Sequence, residues 1–533
     1  MVIVAVLLLS LWAVARRVPG LAWSGGGASF PAALWTEGEL RPSLRANRGR
    51  KNTSKGIRKI LARSSAAHLR FVVLLIAVGT VLRVARLGDP ITYNEAFAYT
   101  GFAVQPVGEV LSNYISPVNH ILHTLLVKLS TGVFGLHLWS MRLPALVAGV
   151  LVMPAFYLLV RQLFNRYIAL IALSLVAVSG PLVEYSALAR GYSISWLFIV
   201  LAMLAGRRFA KSNSQGSACL VALFLALGMW SVPSTLYGAL MVYLWLLLYI
   251  LTNYSASRRK RNGLLLLSFV LFLACSFVLY AGVIMVHGVW PLLRDPSLGD
   301  GGWTAFVRSH ADRVLDLWVY FTASASTGLA IVGWVGVVYA AYVSSKYRLL
   351  LFAVVLGAVP LVLLQHVVGS PRVWTYTLFI LHLGSAIGIF YALKFVQSKL
   401  IPQLGKRVRT GVVSLMLVLL FGLLGLHTYD KLDRFPEAVP AAAWLKARLK
   451  PGDRVLADQP WDAPMEFHLR VLGVDPACMQ PTGSGEGRAY VLVGAAFDQT
   501  PRKVLEQVGA RDLDATKLVL QEDWRRLEIF AAP

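Results

Sequence analysis

The feature that most constrains this chain is a repeated alternation of apolar runs, long enough to cross a bilayer, with short clusters of Lys and Arg. Backbone in hydrocarbon must satisfy its own polar groups, so such runs fold as helices. Hydrophobic residues make up 57% of the 533 positions and charged ones 14%, with a mean hydropathy of +0.63. That is more apolar surface than one soluble core can cover, and it predicts a mainly α, polytopic membrane protein. The basic excess, 51 Lys and Arg against 26 Asp and Glu, then reflects cytoplasmic loops and anionic lipid rather than nucleic acid. Cys219, Cys275 and Cys478 have no metal-like spacing and predict neither a disulfide framework nor a cysteine metal site.

Residues 1–15 are apolar and end at Arg16-Arg17, which fits a short span better than a cleavable signal. Residues 41–70 hold ten Lys or Arg and no acid, so 1–70 is expected to be an apolar segment followed by a basic cytoplasmic linker. The run 71–84 leaves the cytoplasm and places Glu95 on the far side. Residues 96–111 are amphipathic, and 119–133 are apolar but interrupted by His120, His123 and Lys128. Both are expected in the interface, making 88–140 one long outer loop.

The positive-inside rule supports that choice. Spans at 143–160, 194–205, 236–251, 328–343 and 374–393 each run inward to a basic cluster, the first ending at Arg161 and Arg166. Spans at 169–183, 218–230, 264–286, 349–364 and 412–426 run outward, leaving Arg190, Arg372 and a polar loop at 287–313 outside. Counting 119–133 as a full span would turn every basic cluster outward. After the membrane domain, 71–428, short apolar runs alternate: 454–457 and 490–493 read as buried strands, 503–508 as a helix and 527–530 as a closing strand. Residues 429–533 therefore form a small extracytoplasmic α/β domain. Asp458, Trp461 and Asp462 follow its first strand, where loop solvation accounts for them.

Four polar features share the outer face: Asn94-Glu95, His120 with His123, Arg142 with Arg190, and Arg372. A carboxylate with several arginines suits transfer of a group from a lipid phosphate. The carboxylate takes a proton from the nucleophile, and guanidinium forks hold the phosphate as charge develops. Other roles remain open at this level. Arg142 could anchor a span in headgroups, Tyr185 and Tyr192 could belong to an aromatic belt, and the two histidines could bind metal but lack a third ligand.

The motifs Tyr93-Asn-Glu-Ala96, Asn119-His-Ile-Leu-His-Thr-Leu-Leu126, Arg142-Leu-Pro-Ala145, Glu184-Tyr-Ser-Ala-Leu-Ala-Arg-Gly-Tyr192 and Pro371-Arg-Val-Trp374 occur in this order. Together they resemble the bacterial polyprenol-phosphate-sugar-dependent membrane glycosyltransferases of the GT-C type, relatives of protein O-mannosyltransferases and of the aminoarabinose transferase that modifies lipid A. The resemblance implies an inverting transferase in the bacterial inner membrane, taking a monosaccharide from a polyprenyl phosphate rather than from a nucleotide. It implies that Glu95 activates the acceptor and Asn94 positions it. Arg190 and Arg372 would hold the donor phosphate, Tyr192 and Arg142 would support the phosphate or shape the first loop, and Asn119, His120, His123 and Glu184 would line the substrate site. No cofactor is assigned, and a divalent metal is left open. Two departures stand out. The family's loop motif is usually Asp-Glu, whereas Asn94 cannot take a proton, and Ala187 and Leu188 replace an amide and an acid, with Glu184 a helical turn earlier. A flippase of lipid-linked sugar, or a degenerate relative that only binds one, are the rival functions; a transporter would show inverted repeats, which the sequence lacks.

Overall fold

The computed structural model describes residues 66–254, 257–293, 302–322, 327–396, 433–479, 487–510 and 512–532, with isolated positions 398 and 416. The expected N-terminal span, the basic linker up to residue 65 and the run at 412–426 apart from position 416 lie outside the described residues.

Helix α1 (Ala66–Ala85) leads to two short helices, α2 (Tyr93–Ala98) and α3 (Val107–Ser112), with a π-helical turn at Tyr99–Ala103 between them. Then follow α4 (Ile121–Phe134), α5 (Leu138–Leu163), α6 (Arg166–Val178), α7 (Gly180–Ser186), α8 (Tyr192–Ser212), α9 (Gln215–Ser231), α10 (Thr235–Asn253) and α11 (Arg258–Leu279). Helices α12 (Ala281–His287), α13 (Gly302–Thr322), α14 (Thr327–Val343), α15 (Ser345–Gln365) and α16 (Thr377–Phe395) complete the bundle. Among the described residues seven helices are long and apolar enough to cross a membrane, or eight if α6 and α7 form one bent span. Helix α4, with 14 residues, reaches only about 21 Å at the usual rise, short of a hydrocarbon core of about 30 Å. Lys128, which interrupts its apolar run, donates to the carbonyls of Ala103 (3.1 Å) and Gln105 (2.8 Å), tying α4 to the end of the π-turn.

The expected polar loop at 287–313 is corrected from Gly302 onward, where α13 begins. Its charges misled because they interrupt the apolar run. Arg308, Asp312 and Asp316 fall four apart, however, and so share one face of a helix.

The bend of 61° between α6 and α7 has a local cause. Pro181 lacks an N–H and its ring collides with the carbonyl four residues back, so α6 cannot run on through it, and Ser179 is extended (φ −63°, ψ 116°). The carbonyls freed at the end of α6 are met by Arg83 of α1, whose Nη1 donates to Ala177 (3.1 Å) and Nη2 to Val176 (3.3 Å). A cation at a helix C-terminus is also favoured by the helix dipole. Gly149 of α5 lies so close to Ser186 that any Cβ there would overlap its side chain, so α7 is pressed against α5. The broken span thereby turns Glu184 and Tyr185 toward the bundle interior, where both are buried.

From residue 433 the chain forms an α/β unit: α17 (Ala438–Lys446), β1 (Arg454–Ala457), α18 (Asp462–Val471), β2 (Ala489–Val493), α19 (Pro501–Val508), β3 (Val519–Asp523) and β4 (Glu528–Ala531). The sheet order is β1-β2-β4-β3, with β1 and β2 parallel and β4 antiparallel to β2 and β3. Strands β1 and β2, buried on both faces, are the near-continuous apolar runs of the sequence. Strand β3 is mostly exposed and lacks that signal. Trp461 is fully buried and Asp462 half-buried, so loop solvation does not account for them.

Candidate functional site

The segment around Glu95 is built on a buried ion pair. Thr92 caps α2 and Glu95 closes a capping box with it. Arg142, two residues before Pro144 in α5, grips the same carboxylate with Nε on Oε1 (2.8 Å) and Nη2 on Oε2 (2.7 Å). Oε1 also accepts from the Ala189 amide (2.8 Å), and Oε2 from the Thr92 amide and hydroxyl (3.1 Å each). Both ionic side chains have 0% exposure. The rest of the Arg142 fork donates to the carbonyls of Leu87 (3.1 Å), Asp89 (2.7 Å) and Pro90 (3.3 Å), wrapping the turn after α1.

This geometry bears on two expectations. Five donors on two oxygens leave Glu95 no lone pair for an acceptor's proton, since a carboxylate offers about four such sites. Burial alone would raise its pKa, but the charge and hydrogen bonds of Arg142 with the amides of Ala189 and Thr92 outweigh it and hold it below the usual range. Arg142, equally occupied, is bound into the first loop, the second of its two expected roles. Asn119 is also committed: its amide donates to Val110 (3.0 Å) and Asn113 (2.8 Å) and accepts from Thr124 (3.0 Å), closing the loop before α4. Asn94 is half-buried beside Glu95 on α2.

A second cluster gathers residues from four segments. Arg190 donates to the Val118 carbonyl (3.1 Å), lies 3.2 Å from His120 Nε2, and stands 5.9 Å from the centre of the Tyr192 ring. The Gly191 amide donates to His120 Nδ1 (2.9 Å). Gly191 cannot carry a Cβ, which would sit 2.5 Å from the Ser231 carbonyl. Burial, followed by the charges of Arg190, His123 and Arg372, pushes the His120 pKa well down, so its ring is neutral. With Nδ1 accepting, the single ring proton belongs on Nε2. That places two donors, Nε2–H and the Arg190 guanidinium, side by side, an arrangement that an anionic oxygen satisfies. Arg372, at the start of the short helix Pro371–Trp374, is close enough for its charge to act on His120, Arg190 and Tyr185. Tyr185 meets Tyr192 edge-on at 5.1 Å, and Tyr192 meets His120 at 5.2 Å.

Glu184 is buried behind this cluster, 3.6 Å from Arg434. His123 is buried with no hydrogen-bond partner for Nε2 among the described residues, and burial drives its pKa down. The described residues contain no group of three metal-ligating side chains. An apolar cavity of about 100 Å³ begins at the α6–α7 break, lined by Leu175, Val178, Ser179, Phe321, Leu378 and His382 among others. Tyr320, next to Phe321, lies within electrostatic reach of Tyr185 and Glu184. Sequence reasoning missed Tyr320, which lies in the short apolar run 317–321 without a motif around it, and Arg434, whose neighbourhood carried no motif signal.

The helical bundle with its broken span and appended α/β unit shares the fold of solved membrane-embedded glycosyltransferases of the GT-C type. Residues 118–280 match the profile described as dolichyl-phosphate-mannose-protein mannosyltransferase. ArnT from Cupriavidus metallidurans in the apo state is similar, with a TM-score of 0.54 at 14% identity, covering 87% of this chain and 98% of that one. The same protein bound to undecaprenyl phosphate aligns with a TM-score of 0.52 at 15% identity over 88% and 98%. The archaeal oligosaccharyltransferase AglB from Archaeoglobus fulgidus, in complex with an inhibitory peptide and a dolichol-phosphate, gives 0.51 at 12% identity over 87% and 74%. No curated protein matches the chain significantly.

Proposed function

We propose that this protein is an inverting glycosyltransferase that moves a monosaccharide from a polyprenyl-phosphate carrier to an envelope acceptor on the outer face of the bacterial inner membrane. The observation that carries this reading is the buried cationic cluster of Arg190 and His120, with Arg372 near enough for its charge to act on both. The contacts of Arg190 are a carbonyl, an imidazole and an aromatic ring rather than a carboxylate. A buried cation without an acidic partner favours an anionic ligand. In this reading the donor phosphate sits on the two arginines with Tyr192 beside it, and the prenyl chain follows the cavity. Leaving-group charge grows on the phosphate as the glycosidic bond breaks, so pre-placed guanidinium groups stabilise the transition state more than the ground state. A divalent metal would act in addition to them. The resemblance to ArnT, one of whose structures holds undecaprenyl phosphate, supports the donor class.

Undecaprenyl phosphate binding to the purified full chain tests the reading. Arg190→Ala and Arg372→Ala are each expected to weaken it by about tenfold to a hundredfold, the 1.5–3 kcal/mol of a charge-assisted hydrogen bond. Unchanged affinity in both would sink the donor assignment. The saturated carboxylate of Glu95 favours one rival, a relative that binds lipid-linked sugar without turnover. Donor binding with no sugar transferred in membranes would support that rival.

A further inference from the structure

The α/β unit is docked on the segment that carries Glu95. The Phe435 amide donates to the Ile91 carbonyl (3.0 Å), and Thr92 and Arg434 form an antiparallel bridge. Arg434 reaches Asp89 (3.3 Å), Glu184 (3.6 Å) and the Pro90 carbonyl (3.2 Å). Helix α18 lies against α2, where Ala463 and Phe467 share an apolar cluster with Ile91, Ala96 and Ala189. Phe467 meets Tyr99 edge-on at 5.7 Å. This docking brings Asp462, the first residue of α18, to the motif: the Tyr93 hydroxyl donates to Asp462 Oδ2 at 3.5 Å. Oδ1 is buried with no hydrogen-bond partner among the described residues. Ala463, the residue after Asp462, belongs to one apolar cluster with Ile91 and Ala96 of the Glu95 segment.

The other carboxylates here are spoken for. Glu95 accepts five donors, Asp89 is shared by Arg86 and Arg434, and Glu184 faces Arg434. Asn94 is an amide and takes no proton. Asp462 has a tyrosine hydroxyl on one oxygen and no basic partner among the described residues. Burial raises its proton affinity, and the charges of Asp458 and Glu466 add to this against the amides at the helix start.

We propose that Asp462 is the general base of the transfer, so that the C-terminal domain completes the active site. The proposal rests on the glycosyl transfer proposed above. Asp462 accepts the proton of the acceptor's hydroxyl or amine, and that oxygen or nitrogen forms the new bond to the anomeric carbon. The bond from the anomeric carbon to the phosphate oxygen breaks, and its electron pair leaves with the polyprenyl phosphate. Tyr93, which burial keeps protonated with Asp462 nearby, orients the carboxylate.

The test uses the full chain, with Asp462→Asn and Asp462→Glu each replacing the wild type in cells. Two quantities are read: the envelope sugar lost when the protein is absent, and undecaprenyl phosphate binding by the purified protein. Asp462→Asn is expected to lower transfer by about a hundredfold or more, the usual contribution of a general base. Donor affinity and melting temperature should stay at the wild-type values, and Asp462→Glu should recover part of the transfer. Wild-type transfer by Asp462→Asn overturns the assignment, as does a loss of donor binding that parallels the loss of transfer. If the wild-type chain itself fails to bind undecaprenyl phosphate, the donor reading falls first and this assignment with it.

Discussion

Glu95→Gln separates two accounts of the same residue. As a catalytic base its loss would stop transfer and leave the fold untouched; as half of a buried ion pair its loss strands Arg142 without a counter-charge. Both side chains are fully buried, and the pair is bidentate at 2.8 and 2.7 Å. Removing one partner of such a pair typically costs about 3–5 kcal/mol, mostly from the uncompensated charge left behind. Assigned to local opening of the turn that Arg142 wraps, the lower figure corresponds to an increase of about a hundredfold in the open population. Hydrogen–deuterium exchange of a peptide spanning 91–99, in the purified protein, should show faster exchange by about that factor. The pH dependence has a defined sign. Because the folded pKa of Glu95 is depressed, its stabilisation is fully present above the unfolded carboxylate pKa of about 4.3 and is lost as pH falls through the lower folded value. Protection of 91–99 in the wild type should thus be flat above pH 5 and decline only in stronger acid. Unchanged exchange in Glu95→Gln, together with abolished transfer, would refute the structural account and restore Glu95 as the base.

Other expectations follow from single contacts. Gly191→Ala places a methyl against the Ser231 backbone carbonyl and shifts the amide that holds His120, so undecaprenyl phosphate affinity should fall by about tenfold or more while expression persists; equal affinity would remove His120 from the site. Arg434→Ala breaks the bridge to Asp89 and Glu184, and limited proteolysis should then cut between the membrane helices and the α/β unit faster than in the wild type. An unaltered cleavage rate would mean that packing of α18 on α2 suffices to hold the unit.

Much of the architecture was legible because hydropathy is a property of each residue and a bilayer converts it directly into topology. The runs at 143–160, 194–205 and 236–251 fall inside helices, all but the first three residues of 374–393 lie in α16, and 454–457 is strand β1. Helix α13 escaped because its charges, spaced for one helical face, broke the apolar count; β3 escaped because it is exposed. The arginines of the cationic cluster were legible for a related reason: a cation delivered to one side of a membrane by a span stands out against an apolar background.

What the sequence determined by itself was therefore the mainly helical membrane class, the appended α/β unit and the residue types gathered near Glu95. Only the tertiary structure decided which of those residues are free to react. Whether a carboxylate can accept a proton depends on how many donors already reach it, and the donors on Glu95 come from positions 92, 142 and 189, far apart in the chain. Asp462 looked like a solvated loop residue for the same reason in reverse. Its burial against Tyr93 exists only because a domain 369 positions away folds back onto the first loop.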